Sequence, residues 1–126
     1  GIHTLSATTV DQVGNRSTIT RQVTVDNTRP QVTLTVPTSG EFNPTGITLE
    51  GVDAFGLDRL TANIYNESNT TLIRSCSSFV SPALTGTLNC SVAGLGEATY
   101  TIRANARDRA GNISTTVTLP FTIDTT

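Results

Sequence analysis

The stretch YTIRANARDRAGN, Tyr100 to Asn112, decides the fold. Tyr100, Ile102, Ala104 and Ala106 fall on one side of an extended chain, and Thr101, Arg103, Asn105 and Arg107 on the other. Side chains alternate across a strand, so this parity predicts a strand with one buried face. The last five residues are turn chemistry: Asp bonds its own backbone, and Gly supplies positive φ. A second copy, HTLSATTVDQVGN, runs from His3 to Asn15. Setting Gly14 on Gly111, an offset of 97 residues, also sets Leu5 on Ile102, Ala7 on Ala104, Asp11 on Asp108 and Ser17 on Ser114. After one inserted residue in the later copy, Val23 to Asp26 meets Phe121 to Asp124, and DNT (Asp26 to Thr28) meets DTT (Asp124 to Thr126).

Self-similarity at a fixed period marks a tandem array, and this period is about the size of one β-sandwich domain. Residues 1–28 are therefore expected to be the C-terminal hairpin of a preceding repeat, and residues 29–126 a complete repeat ending in the same hairpin. The competing reading is a single domain with two similar hairpins. An isolated hairpin is marginal in water, so the apolar set Leu5, Ala7, Ile19, Val23 and Val25 needs cover. Two covers are open: the other strands of the preceding repeat, or a second copy of the chain. In the second case head-to-tail exchange of near-equivalent hairpins would build open fibres.

The rest of the complete repeat reads the same way. Val32, Leu34 and Val36 share a face, as do Leu60, Ala62 and Ile64, then Leu88, Cys90 and Val92, then Val117, Leu119, Phe121 and Ile123; Ile47 to Glu50 alternates as well. Between these runs lie the turn signals PTSGEFNPTG, DAFG, NESN, SPALTG and AGLGEA. About seven short strands at such spacing predict an all-β antiparallel sandwich. Pro120 lacks a backbone donor, which places the last strand at an edge or on a bulge. Tyr100, four residues after Gly96, fits either a tyrosine corner or an ordinary core aromatic.

YTIRANARDRAGN, the following strand ending in FTID, and the linker VDNTRPQVTLT together resemble the bacterial immunoglobulin-like repeats of large secreted adhesins and surface proteins. The resemblance covers the complete repeat and the partial one, and implies an immunoglobulin-like sandwich outside the cell.

Composition narrows the function. Roughly one residue in five is Thr, and Val and Ile are plentiful, which suits a pleated surface. Eight basic residues, all Arg, stand against ten acids for a net charge of −2, so no basic footprint predicts nucleic acid or a membrane surface. Cys76 and Cys90 either form a disulfide, which implies an oxidising compartment, or remain two buried thiols. With no Lys, the chain cannot form within itself the Lys–Asn or Lys–Asp isopeptide brace of some similar surface shafts. The only histidine is His3, and no nucleophile, acid and base form a recognisable set, so an enzyme is not expected. For a sugar-binding platform only Tyr65, Phe42, Phe55 and Phe79 remain, scattered along the sequence.

The acidic turns are the candidate site. In a sandwich of this topology the loops after the second and sixth strands return to the pole where the first strand enters. They hold Asp53 and Asp108; the entering linker holds Asp26 and Asn27; Asp58 is a weaker fourth carboxylate. Calcium takes six to eight oxygen ligands, and the resemblance implies calcium at such linkers, where it would stiffen the joint between repeats. Asx-turn chemistry alone also accounts for these residues. The expected role is a structural spacer or stalk repeat with neighbouring repeats as partners. The alternative is a glycan- or protein-binding adhesin module using loops at one pole.

Overall fold

The computed structural model describes residues 1–80 and 83–126. Eight strands follow in order: β1 (Ile2–Val10), β2 (Arg16–Thr24), β3 (Gln31–Val36), β4 (Glu41–Phe42), β5 (Ile47–Asn66), β6 (Leu72–Cys90), β7 (Ala98–Asp108) and β8 (Val117–Ile123). β1 and β2 form a sheet of their own, while β3 to β8 belong to a second, six-stranded sheet.

β5 and β6 are far longer than an ordinary strand because each serves two layers. Through Thr48 to Val52, β5 pairs with β3; from Leu57 to Asn66 it pairs with β7. β6 follows β5 along both halves, and the register breaks between Val52 and Leu57. At that break the sheet turns over on itself into a sandwich. One layer holds β3 with the first half of β5 and the end of β6; the other holds the remainder with β7, β8 and β4.

The cause of the bend is local. Asp53 Oδ2 accepts the backbone N–H of Phe55 and of Gly56, at 2.8 and 2.9 Å, and Gly56 takes a φ of 123° that other residues rarely adopt. DAFG, expected as a loop between two strands, is thus a corner inside one. SPALTG likewise lies within the span of β6; its first two residues, 81 and 82, lie outside the described residues. The short strand β4, which pairs parallel with β8 at Phe121 and Thr122, had no sequence signal.

The buried face follows the parity of the sequence. Leu49, Leu57, Leu60, Ala62, Ile64, Ile102 and Phe121 are fully buried, with Val32 and Leu34 packed against them. Tyr100 answers to both of its readings: its ring stacks on Phe121 at 5.4 Å, and its hydroxyl donates to Gly96 O at 2.8 Å as a tyrosine corner does. Cys76 and Cys90 form a disulfide. Cys76 lies opposite Ala62 in one layer and Cys90 opposite Ile47 in the other, so the bridge ties the layers together.

The β1–β2 hairpin repeats β7–β8 in register. Leu5 pairs with Arg21 and Ala7 with Ile19, as Ile102 pairs with Leu119 and Ala104 with Val117. The turns share the same Asp–Asn pairing. Asn15 donates its N–H and its Nδ2 to the Asp11 carboxylate at 2.8 and 2.7 Å; Asn112 donates the same pair to Asp108 at 2.8 and 2.8 Å. Gly14 and Gly111 sit at φ 88° and 95°. The environments differ: every residue of β1 and β2 is exposed, whereas β7 and β8 cover the core.

Candidate cation site at the joint between hairpin and body

Three elements meet where the linker enters the sandwich. Asp26 follows β2, Asp53 forms the corner of β5, and Asp108 ends β7. One carboxylate oxygen from each lies within 4.8 Å of the other two. Asp53 and Asp108 are buried, at 4% and 1% exposure, and Asp26 is half-buried.

Each carboxylate is aimed by its own backbone. Thr28 N–H donates to Asp26 Oδ1 at 2.9 Å, an Asx turn that turns Oδ2 inward. The bonds from Phe55 and Gly56 hold Asp53 Oδ2 and leave Oδ1 free. Asn112 holds both oxygens of Asp108, and its Nδ2 also donates to Asp26 O at 2.9 Å, pinning the linker to the turn. Arg109 N–H donates to Gly56 O at 3.0 Å, which fixes the corner of β5 beside that same turn.

Asp26 Oδ2 and Asp53 Oδ1 are buried and have no hydrogen-bond partner among the described residues. An unpaired buried carboxylate oxygen is costly, and two of them beside a third carboxylate repel one another. A hard cation removes both penalties, because carboxylate oxygens in a buried cluster are the donor set it requires. Three carboxylates do not complete a calcium shell. Backbone carbonyls and water would supply the rest.

Of the other expected ligands, Asn27 adjoins Asp26 in the linker, and Asp58 stands apart from this group. Asn27 lines a shallow cleft with Arg29, Gly111 and Asn112. Asp58 faces the outer surface, where its Oδ2 accepts Arg107 Nε and Nη2 at 3.1 and 2.9 Å. Nothing in the sequence marked that pairing, which depends on the cross-strand neighbourhood of Arg59 and Arg107.

Residues 31–125 match the family described as bacterial Ig-like domain. No curated protein sequence matches the chain. Among solved structures, one titled "Structures of Clostridium thermocellum CbhA fibronectin(III)-like modules" is similar at 21% identity and a TM-score of 0.53. That likeness covers 98% of this chain and 63% of the other, and it is one of fold. The strands, the corner and the family match agree: the chain belongs to the bacterial immunoglobulin-like domain family.

Proposed function

We propose that the chain is a spacer repeat of an extracellular bacterial surface protein or fibre, and that calcium bound by Asp26, Asp53 and Asp108 stiffens the joint between successive repeats. In this reading residues 1–28 close the preceding repeat, whose other strands cover Leu5, Ala7 and Ile19. Domains of this family are usually extracellular, and the Cys76–Cys90 disulfide suits an oxidising compartment.

The observation that carries the proposal is that Asp53 Oδ1 and Asp26 Oδ2, in carboxylates of one cluster, are both buried and unpartnered among the described residues. One of these residues belongs to the linker and the other to the body. A cation held by both therefore locks the hinge between them. With the cation removed, mutual repulsion loosens it.

Calorimetry of the full chain, with chelator and then with calcium, tests this. A ligand at 100 times its Kd stabilises the state it binds by about 2.7 kcal/mol. For a body of this size that raises Tm by about 10 °C or more. A rise of less than about 1 °C at saturating calcium would leave only turn chemistry at these residues.

A further inference from the structure

The outer face of the second layer carries a charge pattern that the joint does not use. Cross-strand register sets Arg59 beside Arg107, Thr61 beside Asn105, and Asn63 beside Arg103. Three of the chain's eight arginines therefore share one face, in a chain of net charge −2. Among the described residues the only carboxylate in ion-pair contact there is Asp58, and it is taken by Arg107. Arg59 and Arg103 have no acidic partner but are held in place. Arg59 lies over the Phe79 ring and Arg103 over the Tyr65 ring, each at 5.7 Å from the centroid. Stacking of this kind presents the guanidinium fork in one orientation with its N–H groups free.

Around Arg103 the surface dips into a polar cup of about 180 Å³, lined by Thr61, Asn63, Tyr65, Asn105 and Thr116. Ser75 Oγ donates to Asn63 Oδ1 at 2.7 Å, which leaves the Asn63 amide as a donor to the cup. An oriented, uncompensated guanidinium ringed by amides and hydroxyls matches a carboxylate carried on a ring of hydroxyls. An acidic peptide would satisfy the guanidinium and leave the surrounding amides and hydroxyls without the hydroxyl partners a sugar ring offers. Arg103 and Arg107 are four residues apart on β7, about 14 Å along the strand, a span that suits a linear polyanion.

We infer that this face binds an acidic polysaccharide. One uronate unit sits in the cup with its carboxylate on the Arg103 fork. Its hydroxyls meet Asn63, Asn105 and Thr61, and the polymer runs toward Arg59. The site is on the sheet face, away from the joint, and does not depend on a cation there.

Titration calorimetry of the full chain with a galacturonate hexamer tests the inference. The hexamer is expected to bind at least about tenfold more tightly than either the galacturonate monomer or the neutral methyl-esterified hexamer. Arg103→Lys keeps the charge and loses the fork, and is expected to weaken binding about tenfold. Asn63→Ala and Asn105→Ala are each expected to weaken it about threefold or more. Arg21→Gln, on the β1–β2 hairpin, is expected to leave it unchanged. Absence of hexamer binding overturns the inference. So does equal binding of a poly-glutamate of matched charge, or Arg103→Lys binding as the parent does, because either makes the face a diffuse anion attractor. The ester comparison uses the unmodified chain, so the result does not hang on the folding of any variant.

Discussion

Asp53 and Asp58 sit five positions apart on the same strand and take opposite roles because parity and the corner put them in different surroundings. Asp53 is buried with one free oxygen; Asp58 faces outward and pairs with Arg107. Asp53→Asn retains an acceptor for the Phe55 and Gly56 N–H groups and removes one of three clustered charges. In chelator its Tm is therefore expected to equal or exceed that of the parent, while the calcium-dependent rise disappears. Calorimetry reads both; a variant that keeps the rise would remove Asp53 from the ligand set. Tyr100→Phe leaves Gly96 O without its hydroxyl donor and keeps the stack on Phe121. The expected loss is about 1 kcal/mol in urea unfolding, the ordinary worth of one hydrogen bond. The convergence of Asp26, Asp53 and Asp108 was legible in the sequence, since the topology of a sandwich returns their loops to one pole. The free oxygens were not. They depend on which lone pair each Asx turn consumes.

At the scale of elements, alternation predicted β3, both halves of β5, β7 and β8, because one buried face dictates period two; of the long β6 it marked only the end, at Leu88 and Cys90. What alternation cannot tell is whether a turn signal ends a strand or bends it. Asp53 to Gly56 has turn composition and makes turn bonds, yet pairing with β6 resumes at Leu57 after the break. β4 escaped notice because two residues carry no period, and its parallel pairing with β8 is fixed only by tertiary context. The pairs Arg59–Phe79 and Arg103–Tyr65 escaped for a related reason: aromatics scattered along the sequence were gathered by register. The Cys76–Cys90 bridge closes a loop with a sequence separation of 14. Chain-entropy reasoning assigns such a loop about 3 kcal/mol. Reduction is expected to lower the unfolding free energy by about that amount, read by urea titration with and without reductant; no change would make the bridge incidental to stability.

The hairpin turn has its own pH signature. The side chain and then the backbone N–H of Asn15 hold the Asp11 carboxyl below its ordinary value of 3.8. A depressed acid stabilises the folded turn above the unfolded value, and that contribution is lost as pH falls through the lower folded value. The protection factor of the Asn15 amide is therefore expected to fall only as pH drops below that ordinary value, and an Asp11→Asn chain is expected to lack this acid step.

Over the whole molecule, the two sheets set a sharper question than either alone. Among the described residues β1–β2 pairs with no other strand and is exposed throughout, so it adds little to the packing of β3 to β8. The linker is different, because Asn112 holds Asp26 O and the Asp26 carboxylate reaches the buried pair. The two segments can therefore be separated by length. A chain of residues 25–126 loses the hairpin and keeps Asp26; a chain of residues 29–126 loses both. In chelator the first is expected to melt within about 1 °C of the parent, since surface segments away from the core have little effect on stability. In calcium it is expected to keep the parent's rise in Tm, while residues 29–126 lose most of it. Should the shorter chain keep the full rise, the cation would belong to the body alone and could not stiffen a joint. Should residues 25–126 lose it, the hairpin itself would be part of the binding unit. Only the ordering in which the rise depends on residues 25–28 supports a clamp that joins one repeat to the next.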